Sequence, residues 1–278
     1  MKIAILTDSS SGLTNEEVNK EGVYVLPIPY TINGVPYTDN QTYPEFIKEI
    51  SDGKRFAKTS QVAIGVVEQY YEDLLKEYDY IIHLPISSAL SSTFSTAVSV
   101  ASKFNGKVRV LDQLKVAFLL KRDALYASRL AKEGKNVDEI TEELKKRVNR
   151  EYAYITPFNL ATLKHGGRIN AATAAIGNLI GIKPIIEYRN GKLESYAKER
   201  ATIKVYKTML KGILKEYDPN VHDIVIVHCS EEYRAKEFAE FVKKEMNADV
   251  NITFDYIPVS IVAHTGPGTL GIGIALKY

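Results

Sequence analysis

At 278 residues, with 45% hydrophobic and 25% charged residues, the chain has the make-up of a soluble globular protein long enough for two domains with buried cores. A net charge of +2 without a concentrated basic face gives no electrostatic reason to expect nucleic acid, and no apolar stretch approaches the roughly 20 residues of a membrane span. A single cysteine, Cys229, excludes an intrachain disulfide and a cysteine-rich zinc site, and the five histidines lack metal-ligand spacing.

In chain order, MKIAILTDSS has too short an apolar run for a signal peptide and reads as a first strand, which implies a cytosolic protein. Thr14 and Glu17 form a capping box that opens the first helix. YVLPIPYTI, YIIHLPI and VRVLD are strand-like, while IGVVEQYYEDLLKEY and the stretch from Leu114 to Lys132 are helix-like. Strand and helix in alternation predict a largely parallel sheet flanked by helices. Asn33-Gly34 predicts a β-ribbon turn within this half. The tract VDEITEELKKRVNR reads as a long helix, with Lys145, Lys146, Arg147 and Arg150 on a solvated face. Beyond Pro157 the texture changes to a hairpin turning at Asn190-Gly191, a helix over Thr202 to Glu216, the strand HDIVIVHCS, a helix after Ser230 and the strand NITFDYIPVS. The prediction is an α/β protein of two domains, 1–157 (parallel sheet) and 158–278 (α+β with antiparallel strands). Cys229, in an apolar run, reads as a small buried hydrophobe.

VAHTGPGTLG, residues 262–271, spells G-x-G-x-x-G, the phosphate-cradling pattern of dinucleotide-binding folds. That chemistry requires a helix opening on the glycines and an acid about 20 positions later. Here the chain continues IGIALKY, an apolar last strand, and Pro267 removes a backbone N–H from the run. The glycines are better read as freedom for turns and for close backbone approach.

Four polar clusters follow apolar runs, where the carboxyl ends of strands gather and ligands of open α/β sheets bind: Asp8 to Ser11, Thr59 to Gln61, the hydroxyl-rich ISSALSSTFSTA of 86–97, and His264 to Gly268. Taken singly, Ser9, Ser10, Ser88 and Thr59 serve equally well as helix caps. Taken together, KTSQ (58–61), PISSALSSTFSTA (85–97), LKHGGRI (163–169), GIKPII (181–186) and AHTGPGTLG (263–271) resemble, in order and spacing over nearly the whole chain, the DegV family of bacterial fatty-acid-binding proteins that serve fatty acid kinases.

The resemblance implies a two-domain architecture with a long acyl chain buried in a tunnel at the junction. The carboxylate would be presented to a separate ATP-dependent fatty acid kinase subunit that forms an acyl phosphate. By position, Thr59 with Ser60, Ser91 with Ser92, and His264 with Thr265 match the carboxylate-binding segments. Arg168 matches an arginine supporting that network, and Arg200 one associated with kinase docking, although an ordinary solvated charge at a hairpin end reads as well. No catalytic residue, metal or cofactor is implied beyond the fatty acid ligand. Contact with a membrane would be transient, and a monomer is expected from the lack of a long exposed apolar stripe. The physics agrees: about sixteen carbons at roughly 0.8 kcal/mol per methylene gain on the order of 10 kcal/mol in a dry site, and a desolvated carboxylate then needs donors.

The chain departs from the family pattern at Val62, where proline is usual, at Ser92, where glycine is usual, and in DQLKVAFLLKRD. There Phe118 and Leu119 replace small residues and would fill space or push a helix outward. Two alternatives remain: a lipid-binding regulator without a kinase partner, and a serine hydrolase built from Ser91, His264 and Asp8 or Asp112, for which no G-x-S-x-G elbow exists.

Overall fold

The computed structural model describes residues 1–37, 43–51, 55–157, 181–248 and 250–278. Four strands rich in β-branched and other apolar residues form a parallel sheet in the spatial order β2 (Val23–Leu26), β1 (Ile3–Asp8), β6 (Tyr80–Leu84) and β7 (Val108–Val110). Alternation along β1 sends Ile5 to one face and Ala4 and Leu6 to the other. On the Ile5 face lie α5 (Ala117–Lys132) and α6 (Val137–Lys145), and on the other α3 (Ile64–Leu74) and α4 (Thr93–Ala101). Helix α1 (Asn15–Glu21) opens at the predicted capping box, with Glu17 N–H donating to the Thr14 hydroxyl and Thr14 N–H to the Glu17 carboxylate.

YVLPIPYTI is not one strand. Pro27 and Pro29 interrupt it, and β3 (Tyr30–Ile32) turns at Asn33-Gly34 (φ 49° and 84°) into β4 (Val35–Tyr37). β5 (Ala57–Thr59) pairs with the other edge of β3, matching Thr59 to Tyr30. Helix α2 (Tyr43–Ile50) buries Phe46 and Ile50 in the same core.

The second sheet has six strands in the order β10 (Lys192–Glu199), β9 (Lys183–Arg189), β8 (Tyr152–Thr156), β13 (Leu270–Leu276), β11 (His222–His228) and β12 (Ile252–Tyr256). All neighbours are antiparallel except β11 and β12. The mixed α/β class with one parallel and one largely antiparallel sheet is therefore as expected. β8, from the N-terminal side of position 157, pairs with β9 and β13 in this second sheet. The outer face packs on α7 (Thr202–Ile213) and α8 (Glu232–Met246) through Tyr206 and Phe238. The strand expected over NITFDYIPVS stops at Tyr256, and Val259–Thr265 forms a short helix, α9, closed by Gly266.

β13 shows why its sequence, LGIGIAL, alternates large and small. Leu270, Ile272 and Ile274 enter the outer core, while Gly271, Gly273 and Ala275 take the opposite face, toward the first sheet. A Cβ at Gly273 would stand 2.5 Å from Phe118 Cζ, and one at Gly271 2.8 Å from Ile155. Large Phe118 thus fills space that glycine vacates.

The two halves are joined by a buried charge cluster that corrects the reading of Arg147 as solvated. Arg147 is 5% exposed, and its Nε donates to Asp123 at 2.7 Å. Lys115 pairs with Asp123 at 2.7 Å and also with Glu151, and Glu151 accepts from Leu276 N–H. Arg147 also donates to the carbonyls of Leu276 and Lys277 and lies over the Tyr126 ring. The helix ends at Lys145, so Arg147 turns inward while Lys145 and Lys146 stay outside. Two cations and two anions cancel, but removing one leaves a buried charge unpaired. Arg147→Met is expected to lower the unfolding free energy in urea by about 3–5 kcal/mol. Lys145→Ala, at an exposed pair with Glu142, should lose under about 1 kcal/mol.

Candidate functional site

Between the sheets lies a cavity of about 100 Å³, several times the space a water needs. The first half contributes Ile28, Ile86, Leu90 and Val116 to Leu119; the second contributes Ala153, Ile155, Tyr188, Leu193 and Val227. Most of the wall is aliphatic. Polar groups come from Thr59 at the end of β5 and Ser60 and Gln61 after it, from Ser91 before α4, and from Ser260, His264 and Thr265 on α9.

Thr59 Oγ1 and His264 Nε2 lie 2.8 Å apart, a hydrogen bond between residues 205 positions apart in sequence. β3 fixes Thr59 by its strand pairing, helped by Ser60 N–H donating to the Pro29 carbonyl. Thr59 is half-buried, whereas Ser60 and Gln61 are exposed, so the cavity reaches the surface beside them.

Ser91 accepts from Thr93 N–H at 3.2 Å and shares a hydrogen bond with the Thr93 hydroxyl at 3.0 Å, so it also caps α4. Ser92 is exposed and off the wall; its carbonyl accepts from Thr96 N–H and the Ser95 hydroxyl. Thr265 is buried and donates to the Ile261 carbonyl. Arg200 is exposed, in a separate depression with Ile182 and Lys204. Arg168 lies outside the described residues. Val62 is buried in the core.

Ser260 was missed by sequence reasoning. The signal was available, since it precedes His264 by four residues, but it counts only once Val259–Thr265 is known to be helical.

The glycine loop is closed to an anion. Gly266 N–H donates to the Val262 carbonyl and Gly268 N–H to that of buried Cys229, with φ of 83° and 79°. A strand follows rather than a helix. Nor do the expected acids complete a triad: Asp112 accepts from Leu114 and Ser88 N–H, and Asp8 from Ser10 and Ile86 N–H. Among the described residues, no group of three or more His, Cys, Asp or Glu could hold a metal ion. Among them, too, no helix is long and apolar enough to cross a membrane.

The segment entering α5 is sharply bent. Leu114 and Ala117 hold φ of 52° and 53°, a left-handed conformation that costs a non-glycine residue about 1–2 kcal/mol. Buried Lys115 between them and Tyr188, which donates to the Leu114 carbonyl, hold the bend in place.

The model of the family described as "Uncharacterised protein, DegV family" matches residues 2–277. A DegV domain-containing protein of Staphylococcus aureus is 32% identical over 99% of both chains. One of Clostridium acetobutylicum is 31% identical over 98% of this chain and 97% of its own. Among solved structures, a fatty acid binding DegV family protein of Streptococcus agalactiae aligns over 100% of both chains with a TM-score of 0.89 and 25% identity. DegV of Bacillus subtilis, a fatty acid binding protein, aligns over 100% of both with a TM-score of 0.86 and 27% identity.

Asp8 stands at the carboxyl end of β1, where strand order reverses between β1 and β6, and its carboxylate ties that end to Ile86 of the cavity wall. Burial pushes this carboxyl up to about 6, against the opposing pull of hydrogen bonds from Ser10 and Ile86. From about pH 4, where aspartates of the unfolded chain ionise, to about pH 6, the folded protein keeps a proton that the unfolded chain has released. Asp8 therefore makes stability fall as pH rises through that window, by on the order of 3 kcal/mol at 1.36 kcal/mol per unit. Asp8→Asn should remove this slope, read as a narrowing or reversal of the difference in urea unfolding free energy between variant and parent; a constant difference across the window would refute the assignment.

Proposed function

Because the chain belongs to the DegV family, we propose that it binds a long-chain fatty acid between its two sheets, with the carboxylate at the Thr59 and His264 end. The observation that carries this reading is a single hydroxyl–imidazole pair set in a largely aliphatic wall. In the tautomer with a proton on Nε2, His264 donates to Thr59 Oγ1, and the Thr59 hydroxyl proton is turned outward to a carboxylate. Ser91 and Thr265 stand on the same wall, and Arg168 is the proposed support of the network. Hydrogen bonds to a charged group are worth roughly 1.5–3 kcal/mol each, and the acyl chain supplies the rest by leaving water. The Streptococcus and Bacillus proteins, which share the fold over their full length, are fatty acid binding proteins.

The proposal extends to a carrier role in the cytosol, as a monomer. A partner kinase subunit would hold ATP, and an oxygen of the bound carboxylate would attack the γ-phosphorus, releasing ADP and leaving an acyl phosphate. The exposed Ser60 and Gln61 beside Thr59 favour this, because a partner could reach the head group there without unfolding the apolar wall. Arg200 would be part of the docking surface.

Native mass spectrometry and lipid extraction of the purified protein should identify a bound fatty acid, and Thr59→Val should weaken binding by about ten- to a hundredfold. A protein that stays empty when offered fatty acids would overturn the reading. With a family kinase subunit and ATP, Arg200→Ala should lower acyl-phosphate formation at low kinase concentration while fatty acid affinity is kept. Equal rates would return Arg200 to an ordinary surface charge.

A further inference from the structure

We propose that the Ser260 hydroxyl pairs with a hydroxyl carried on the acyl chain, so that the preferred ligands are hydroxylated fatty acids; this inference rests on the fatty-acid reading above. Among the described residues, four buried side-chain polar atoms have no hydrogen-bond partner: His83 Nε2, Tyr206 OH, His222 Nε2 and Ser260 Oγ. Of these residues, only Ser260 lines the cavity. It is 5% exposed, and its hydroxyl finds no partner among the described protein groups.

The other hydroxyls of the wall are engaged. Thr59 bonds to His264, Ser91 to Thr93, Thr265 to the Ile261 carbonyl and Tyr188 to the Leu114 carbonyl, while Ser60 faces solvent. Ser260 is one helical turn before His264 on α9, which sets their Cβ atoms about 5–6 Å apart on one face. An oxygen several carbons along the chain would meet Ser260 while the carboxylate stays at Thr59 and His264. The cavity wall that Ser260 joins is largely aliphatic, with Ile28, Ile257 and Ile261 among its residues. A methylene laid against the hydroxyl would leave a buried polar group unmet, whereas a hydroxyl on the ligand forms a hydrogen bond with it, one partner donating and the other accepting. A site built to bond a ligand hydroxyl discriminates strongly against the analogue that lacks it.

The test is competition by native mass spectrometry between hexadecanoic acid and a positional series of its monohydroxylated forms. The parent protein should bind at least one hydroxylated isomer about tenfold or more tightly than the plain acid. Ser260→Ala should bring that ratio near one, and Ser260→Thr, which keeps the hydroxyl, should restore it. A parent that prefers no isomer, or a Ser260→Ala variant that keeps the ratio, overturns the proposal while leaving the fatty-acid reading intact. If none of these acids binds, that reading falls and takes this inference with it.

Discussion

Four buried charges tie the two sheets to each other beside the entry to α5. Lys115, Asp123, Arg147 and Glu151 come from the entry to α5, from α5 itself, from the turn after α6 and from the residue before β8. Arg147 and Glu151 also grip the backbone at Leu276, in β13. An apolar contact at this place could slide; a set of directional, charge-assisted bonds fixes one spacing. Lys115 sits inside the bend whose next four residues, Val116 to Leu119, line the cavity, and its carbonyl receives Ser87 N–H from the serine-rich loop. The cluster that joins the halves therefore also sets the shape of the wall.

Within that frame polarity is concentrated at one end. Thr59 comes from a small antiparallel sheet and His264 from a seven-residue helix, and neither element touches a ligand merely by being well packed. Their bond is made across the junction, so its geometry depends on the relative placement of the halves. Asp8 belongs to the same logic from the other side: a carboxylate at the strand-order reversal binds Ile86 N–H and thereby fixes a cavity wall, while its burial opposes its ionisation.

Much of this was legible in the sequence. Period-two and helical patterns located most strands and helices, and both Asn-Gly pairs turn where they should, because those signals are local. The ordered motifs also picked out Thr59, Ser91, His264 and Thr265, which the fold brings to one cavity. What escaped were features decided at a distance. Arg147 looks like its solvated neighbours until Asp123 is known to face it, and Ser92 looks like Ser91 until the start of α4 at Thr93 is seen to leave Ser92 exposed and Ser91 on the cavity wall. α9 was hidden because seven residues ending in a glycine carry too little periodicity to register, and Ser260 was hidden with it.

The position of β13 has a kinetic meaning. It lies between β8 and β11 and pairs with strands that precede it by more than 110 and more than 40 residues respectively, so the sheet cannot close until residues 270–276 are in place. Before that, β8 and β11 each present an unsatisfied edge with Tyr154 or Ile226 beside it, the kind of surface on which chains aggregate. Its pairings are non-local, which slows folding through the entropy of loop closure. Conditions that delay insertion of this one strand should therefore favour aggregation over folding, whatever the stability of the finished protein.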